Sequence, residues 1–212
     1  MTARTRWTVA VLAVVVALIV ALAAQLRDDA GIFGTTGPSP PTARGHRDFD
    51  TSAALEAPRQ RANLPSCPGA GNGPGPAVLI GVVVECAADG SAVDVASALA
   101  GRRVVLNLWA YWCTACTAEL PAMAEYQRRV GSDAMVLTVH QDENEEAALL
   151  RLADLNVRLP TLQDGRRLVA AALRVPNVMP ATVVLRSDGS VARILPRDFA
   201  DADEVAAAVE AQ

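Results

Sequence analysis

The sequence predicts an α/β domain of ordinary size, preceded by an apolar N-terminal segment. After residue 77, β-branched apolar runs alternate with runs of helical spacing, and near the end the turn sequence SDGS (187–190) joins two further apolar runs. Of the 212 residues, 51% are hydrophobic and 20% are charged. Part of the apolar excess belongs to the N-terminal run, and the remainder is enough for one domain with a buried core.

The N-terminal run has the length of a membrane-spanning helix. Residues 7–26 carry no charge, and two arginines precede them. About 20 apolar residues cross a bilayer, and arginines before such a helix keep its N-terminus in the cytoplasm. The alternative is a cleaved signal peptide, because residues 21–23 (ALA) fit a small-X-small cleavage site. We therefore predict that residues 1–26 are a cytoplasmic tip and transmembrane anchor, or a signal peptide. In both cases the rest of the chain is exported.

Residues 27–66 are interpreted as a flexible tether. They contain the sequence GTTGPSPP (34–41), followed by scattered charges without sustained periodicity. Within this segment, residues 51–60 are compatible with a short amphipathic helix. The folded domain is predicted to occupy residues 67–212, entered through the turn-rich sequence CPGAGNGPGP.

The domain is predicted to contain a central strand followed directly by a long helix. Residues 103–109 form a largely apolar run, the pattern of a strand covered on both faces. Residues 114–130 have helical spacing, with Pro121 inside, which removes one backbone hydrogen bond and bends the helix. In chain order, the other predicted elements are strand 78–84, turn 89–91, helix 93–99, strand 134–140, helix 143–155 with acidic residues in its first turn, helix 166–173, the hairpin strands 182–186 and 191–195, and helix 201–210 with Asp201 as its N-cap.

Two cysteines stand where the central strand passes into the long helix. Cys113 and Cys116 are one helical turn apart, which brings their sulfurs close enough to bond. Cys113, at the helix start, meets unpaired backbone N–H groups and the positive end of the helix dipole. Both favour the thiolate, whose pKa in such sites falls from about 8.5 to between about 3.5 and 7.5. Cys113 is therefore the predicted nucleophile and Cys116 the resolving thiol.

A Cys-X-X-Cys sequence also occurs in haem, zinc and copper sites. A c-type haem needs a histidine after the second cysteine, and here Thr117 stands there. A structural zinc site needs two more ligands at suitable spacing, which Cys67 and Cys86 do not provide as a second Cys-X-X-Cys. Binding of Cu(I) by the two thiolates stays open. The net charge of −4 and the lack of a basic stripe argue against nucleic acid as a partner.

Two stretches carry a resemblance to a known family. NLWAYWCTACTAELP (107–121) and VMPATVVL (178–185) resemble the thioredoxin superfamily, and within it the membrane-tethered, extracytoplasmic TlpA/ResA-like thiol–disulfide oxidoreductases. The resemblance covers residues from about 75 to the C-terminus. It implies a thioredoxin-like three-layer α/β sandwich with a mixed central sheet.

The same resemblance implies a substrate-binding set. It predicts a cis peptide bond before Pro180, which places the Met179 backbone beside the dithiol, where it can pair with an extended substrate chain. Trp112 is expected at the surface near Cys113, and Trp109 in the core. His140, at a strand end, is expected to be a satisfied and partly exposed histidine.

Glu119 is the candidate proton acceptor. It follows Cys116 by three residues and so lies on the same helix face. The alternative is an ordinary solvated glutamate of the first turns. Families that resemble this chain use a glutamate here to control deprotonation of the second cysteine, and thioredoxin instead has a buried aspartate at the position of Asn107. Because Asn107 cannot titrate, the comparison favours Glu119 as the acid–base group.

The remaining two cysteines are expected to form a structural disulfide. In an oxidising compartment unpaired thiols are a liability, and the chain has four cysteines. A bond between Cys67 and Cys86 closes a loop of about 20 residues and contributes roughly 3 kcal/mol by the chain-entropy model. The alternative is that one of them is an extra redox relay.

These observations predict an exported thiol–disulfide oxidoreductase that needs no cofactor beyond the redox-active pair Cys113 and Cys116. The resemblance favours the reducing direction, as in maturation of cytochrome c or metal sites. The expected partners are exported proteins with disulfides, a transmembrane thiol electron donor, and the membrane through the N-terminal helix. A Cu(I)-binding module and a thiol peroxidase are the alternatives.

Overall fold

The computed structural model describes residues 51–210, which form a seven-stranded sheet with helices on both faces. The helices are α1 Ser52–Ala62, α2 Val95–Leu99, α3 Thr114–Val130, α4 Glu145–Asp154, α5 Leu168–Ala172 and α6 Ala202–Glu210. The strands are β1 Val83–Cys86, β2 Ala92–Asp94, β3 Val104–Trp109, β4 Met135–His140, β5 Thr161–Gln163, β6 Ala181–Leu185 and β7 Val191–Leu195.

The sheet is mixed, and β3 lies inside it. The strand order is β2-β1-β5-β4-β3-β6-β7. The pairs β3–β4 and β4–β5 are parallel, whereas β6 runs antiparallel to β3 and to β7, and β1 runs antiparallel to β5 and to β2. All six residues of β3 are buried, as expected for a strand covered on both faces.

Two apolar cores sandwich the sheet. On one face, α3, α4 and α6 pack over Val105, Trp109 and Val184. On the other face, α2 and α5 pack over Leu106, Leu108 and the neighbouring strands. Helices on both faces of a mixed sheet make the three-layer thioredoxin-like arrangement that the sequence predicts.

The elements around Cys113 and Cys116 agree with prediction. Helix α3 has the predicted bounds and contains Pro121. The hairpin of β6 and β7 is present, and Asp201 caps α6, with Oδ1 accepting the N–H of Glu204 at 2.9 Å. These segments are strongly patterned, so local sequence was sufficient to locate them.

The predicted strand 78–84 is wrong over most of its length. Ala77–Leu79 forms a 3₁₀ turn, and β1 begins only at Val83, after Gly81, whose φ of +81° breaks an extended chain. The predicted helix 93–99 likewise starts later, because Ala92–Asp94 pairs with β1 and Asp94 then caps α2. Strand pairing overrides the local pattern at both places. Strand β5 escaped prediction because three residues carry too little periodicity.

The predicted tether is corrected over its last part. The helix compatible with residues 51–60 is present as α1, and its buried residues Leu55, Pro58 and Ala62 pack against α4. Arg59 also pairs with Glu145 at 2.9 Å. Residues 52–62 are therefore held on the domain by burial and an ion pair, rather than forming part of an extended tether.

The predicted membrane anchor or signal peptide, and the tether up to residue 50, lie outside the described residues. Within residues 51–210, no helix combines the length and the apolar character needed to span a bilayer.

Candidate active site

The two cysteines of the Cys-X-X-Cys sequence are joined by a disulfide at the start of α3. Cys113 is the N-cap residue, and its Sγ accepts the backbone N–H of Cys116 at 3.1 Å. The exposed fraction is 7% for Cys113 and 1% for Cys116. In the reduced state the same N–H and the helix dipole favour a thiolate on Cys113. Cys113 is also the more exposed of the two cysteines.

The strand that leads to the cysteines positions them. Trp109, the last residue of β3, is completely buried, as predicted. The Cys113 N–H donates to Ala110 O at 3.0 Å, which closes a tight turn between strand and helix. Because β3 is fixed in the middle of the sheet, this turn places the dithiol at a defined point at its edge.

The predicted cis peptide bond between Met179 and Pro180 is present. Pro180 directly precedes β6, in which Ala181 is paired with Leu108 of β3. The cis-proline segment thus lies at the same sheet edge as the turn that carries Cys113. Met179 is partly buried against the apolar cluster that contains both cysteines.

Exposed apolar side chains stand on the segments that lead to this site. Trp112 is 57% exposed, and its Nε1 donates to Asp142 Oδ2 at 3.0 Å. Val178, next to Met179, is 46% exposed. Trp112 is at the surface as predicted. Asp142 was not predicted, although its place just after the carboxyl end of β4, beside the turn after β3, was a signal that could have found it.

Glu119 is completely buried, which excludes the solvated alternative. Its Oε1 accepts the side-chain N–H of Asn107 at 3.0 Å. Within residues 51–210, Oε2 of Glu119 and Oδ1 of Asn107 are both buried without a hydrogen-bond partner. A carboxyl group so poorly solvated loses its proton less readily than one in water, because its charged form is not stabilised.

The pKa of Glu119 is raised from 4.5 to about 8, chiefly by burial and further by the negative charge of Asp198. The Thr182 hydroxyl and the Arg197 guanidinium act in the opposite direction, but less strongly. A carboxyl group with a pKa near neutrality can both take up and release a proton at physiological pH. The position one turn after Cys116, at the same face of α3, suits exchange of that proton with the second thiol.

His140 differs from expectation in its exposure. It is satisfied by hydrogen bonds, as expected, but it is completely buried rather than partly exposed. Burial lowers the pKa of His140 from 6.5 to about 4, so the ring is neutral at pH 7. The sequence underestimated its burial because the turn after β3 and Gln163 of β5 cover a strand end that would otherwise face solvent.

The second pair of cysteines, Cys67 and Cys86, also forms a disulfide, as predicted. Cys86 ends β1 and is completely buried, whereas Cys67 belongs to the segment that enters the domain. The Cys67 N–H donates to Cys86 Sγ at 3.2 Å. The bond ties the entry segment to the sheet, and neither cysteine begins a helix. Within residues 51–210, no group of three or more histidine, cysteine or acidic side chains could hold a metal ion.

Comparison with known proteins finds relatives among the thiol-disulfide oxidoreductases and thioredoxin-like proteins. The chain is 29% identical over 100 residues to the thiol-disulfide oxidoreductase ResA of Bacillus subtilis, covering 47% of this chain and 55% of the relative. It is 32% identical over 96 residues to the thioredoxin-like protein YneN of the same organism, covering 43% of this chain and 54% of the relative. The matched region thus spans about half the length of these relatives.

A solved structure gives the same answer for the fold. The crystal structure of a secreted Mycobacterium tuberculosis disulfide oxidoreductase homologous to E. coli DsbE is 25% identical to this chain, with a TM-score of 0.55. The alignment covers 64% of this chain and 98% of that chain. This likeness and the match to ResA confirm the predicted resemblance to the thioredoxin-like oxidoreductases.

The match to a family model spans most of the sheet and the whole dithiol segment. Residues 82–194, more than half of the 212-residue chain, match the AhpC/TSA family. The chain therefore belongs to the AhpC/TSA family.

Proposed function

We propose that this protein is an extracytoplasmic thiol–disulfide oxidoreductase that acts through Cys113 and Cys116. The observation that carries the proposal is the placement of the Cys113–Cys116 disulfide at the start of α3, at the same sheet edge as the cis-proline segment. That arrangement combines an activated sulfur with a free peptide edge for a substrate chain. The ResA relative, itself named a thiol-disulfide oxidoreductase, supports the activity.

The proposed reaction is a two-step exchange. The Cys113 thiolate attacks one sulfur of a substrate disulfide, and the other substrate sulfur leaves as a thiolate, which is protonated. The mixed disulfide is then attacked by Cys116, whose proton passes to Glu119. The bond between Cys113 and the substrate breaks as the Cys113–Cys116 disulfide forms. The dithiol thus loses two electrons and two protons, and the substrate gains them.

Substrate binding is assigned to the surface around Cys113. The backbone N–H and C=O of Met179 would pair with an extended segment of the substrate, as in strand addition. Trp112 and Val178, both exposed, would contact apolar side chains on either side of the substrate cysteine. Such a site recognises backbone and apolar surface, and it therefore accepts several protein substrates rather than one small molecule.

The proposed location is outside the cytoplasm. Both cysteine pairs are oxidised, and structural disulfides persist in oxidising compartments. We propose that residues 7–26 serve as the anchor or export signal. We also propose the reducing direction, in which a transmembrane thiol donor supplies electrons and exported proteins receive them.

The decisive experiment is reduction of a defined peptide disulfide by the full chain. The dithiol form should reduce the peptide, Cys113→Ser should abolish the reaction, and Cys116→Ser should trap a mixed disulfide through Cys113. Failure of the wild-type dithiol to react would refute the proposal. Rapid peroxide consumption by the Cys116→Ser variant would instead indicate a thiol peroxidase, and stoichiometric Cu(I) uptake without peptide reduction would indicate a copper module.

A further inference from the structure

His140 is a buried titratable group that the proposed reaction does not use. It ends β4, and the strand register places it between Trp109 of β3 and Gln163 of β5. Its ring centroid lies 5.0 Å from that of Trp109 and 6.1 Å from that of Tyr111. An aliphatic side chain could fill this space without the cost of burying an imidazole. The burial of an imidazole here is therefore explained by the hydrogen bonds that its two nitrogens make.

Both ring nitrogens of His140 are engaged. Nε2 accepts the backbone N–H of Tyr111 at 3.4 Å, and Nδ1 lies 2.8 Å from Oε1 of Gln163. A backbone N–H can only donate, so Nε2 must carry no proton. The proton of the neutral ring is then on Nδ1, where it is donated to Gln163.

A second contact leads independently to the same tautomer. The side-chain nitrogen of Gln163 lies 2.7 Å from the backbone oxygen of Asp142, which can only accept. The amide group of Gln163 must therefore point its NH₂ at Asp142 and its oxygen at His140. The oxygen can accept only from a protonated Nδ1. A continuous chain of donors and acceptors thus runs from Asp142 through Gln163 and His140 to Tyr111.

This chain ends on the turn that delivers the reactive sulfur. Tyr111 lies two residues before Cys113, and the Cys113 N–H closes the same turn on Ala110. The turn is held to the end of β4 at two further points, by Gln141 N–H to Trp109 O at 2.9 Å and by the bond from Trp112 to Asp142. The three attachments differ in kind. The Gln141–Trp109 bond joins two backbones, the Trp112–Asp142 bond joins two side chains, and the third joins the buried His140 side chain to the turn backbone.

We propose that His140 is a positioning residue that fixes the Tyr111 peptide and thereby the place of Cys113, with Gln163 holding His140 in the tautomer this requires. The proposal rests on the proposed function, because it matters only if Cys113 reacts. In the oxidised state the disulfide itself also restrains Cys113. In the dithiol state that restraint is lost, and alignment of the Cys113 sulfur with the Cys116 N–H depends on how firmly the turn is held. Loss of the His140 contact should therefore destabilise the Cys113 thiolate of the dithiol state more than it destabilises the disulfide state.

The first test concerns the tautomer and does not depend on activity. The chain has two histidines, so ¹⁵N NMR of the full chain, with a His46→Gln variant for assignment, isolates the His140 signals. At pH 7 we expect a protonated Nδ1 and an unprotonated Nε2. The opposite tautomer, or a doubly protonated ring, would overturn the proposal even if the protein reduces disulfides normally.

The second test measures the thiol. In Gln163→Met, which keeps the side-chain length but cannot hold the tautomer, we expect a higher pKa of the Cys113 thiol. The equilibrium with glutathione should shift toward the disulfide by about two- to tenfold, the effect of one ordinary hydrogen bond. His140→Leu should give a similar shift. His140→Gln, which can still accept from Tyr111, should restore part of it.

The matched control is Thr138→Val. Thr138 lies two residues before His140 on β4, faces the same side of the sheet, and hydrogen-bonds across to β5 through Thr161 at 2.8 Å. Its side-chain hydrogen bond goes to β5 and not to the turn, so its loss should lower stability without changing the Cys113 thiol pKa. If Gln163→Met leaves both the thiol pKa and the glutathione equilibrium unchanged, or if Thr138→Val changes them equally, the positioning role is refuted. If the wild-type dithiol is itself unreactive, the proposed function fails, and the NMR result still decides the tautomer.

Discussion

The two disulfides of this protein have different surroundings. Cys113 and Cys116 are three residues apart, at the start of a 17-residue helix and beside a buried glutamate. Cys67 and Cys86 are 19 residues apart and join an entry segment to a strand. Each pair has a sulfur that accepts a backbone N–H, but only the first pair also lies at a helix start, one turn before a buried carboxyl group. The difference indicates that surroundings, rather than the bond, separate a reactive disulfide from a structural one.

The two disulfides also differ in the length of the loop that each one closes, which is longer for Cys67–Cys86. A bond that closes a longer loop removes more conformational freedom from the unfolded chain. The Cys67–Cys86 bond should therefore contribute more to stability, and the Cys113–Cys116 bond more to reactivity. Five experiments can break or sharpen this contrast.

The largest expected effect is on activity. Cys113→Ser should lower the rate of disulfide exchange with a peptide by at least about a thousandfold, because the nucleophile is removed. The double variant Cys67→Ala/Cys86→Ala, assayed where it is folded, should stay within about twofold of wild type, since neither sulfur takes part in the reaction. Stopped-flow measurement of peptide reduction checks both. A large loss of rate in the double variant would support the redox-relay alternative.

The next effect is on stability. The double variant Cys67→Ala/Cys86→Ala should lose about 3 kcal/mol of unfolding free energy, through the longer loop it opens. Cys113→Ala/Cys116→Ala should lose less, because its loop is much shorter. Urea unfolding followed by circular dichroism gives both values. Equal losses, or a larger loss at the active-site pair, would contradict the assignment of structural and reactive roles.

The raised pKa of Glu119 predicts that the free energy of unfolding depends on pH. Its folded pKa of about 8 lies above the ordinary 4.5, so the unfolded chain ionises first as pH rises. Stability should therefore fall between about pH 4.5 and 8, by up to about 1.4 kcal/mol per unit. Glu119→Gln should remove this slope, whereas Glu56→Gln, at an exposed position on α1, should keep it.

The same Glu119→Gln variant addresses the reaction. If Glu119 accepts the proton of Cys116, its loss should slow the second step and let the mixed disulfide accumulate, while attack by Cys113 continues. Rapid-quench experiments with alkylation separate the two steps. An unchanged rate for the second step across pH 6 to 9 would remove Glu119 from the mechanism.

The smallest effect is on substrate binding. Trp112→Ala should raise the KM for a protein substrate by about fivefold, roughly 1 kcal/mol, with little change in kcat for peptide reduction. Stability should change by about 0.5 kcal/mol or less, because the side chain is exposed. Ile80→Ala removes another exposed apolar side chain, on the segment before β1, and should leave KM unchanged. Equal effects from the two variants would show that Trp112 has no special place in binding.

Much of the site was predictable because its parts are local. A strand, a Cys-X-X-Cys and a helix follow one another within residues 104–130, and their pattern located them together. The cis bond before Pro180 and the pairing of Cys67 with Cys86 were also predicted, from the resemblance and from the cysteine count. The position of Glu119 was inferred from helical spacing alone.

The structural features that the sequence did not predict depend on pairing between segments that are distant in the chain. Strand β5 has three residues and becomes a strand only through its neighbours β4 and β1. The failed prediction at 78–84 has the same cause, since β1 is defined by its partners rather than by its apolar run. Helix α1 was foreseen as a local helix, but its place on α4 was not, because burial of Leu55 depends on Leu149 and its neighbours, far away in sequence.

By itself, the sequence determined the local features of the site: where the central strand ends, which sulfur begins a helix, and which carboxyl group shares the face of Cys116. Tertiary structure alone decided the surroundings of those groups, because burial and hydrogen bonding depend on residues that are remote in the chain. It buried Glu119 against Asn107 and raised its pKa to about 8. It also closed β5 and the turn after β3 over His140, leaving a neutral ring between Gln163 and Tyr111.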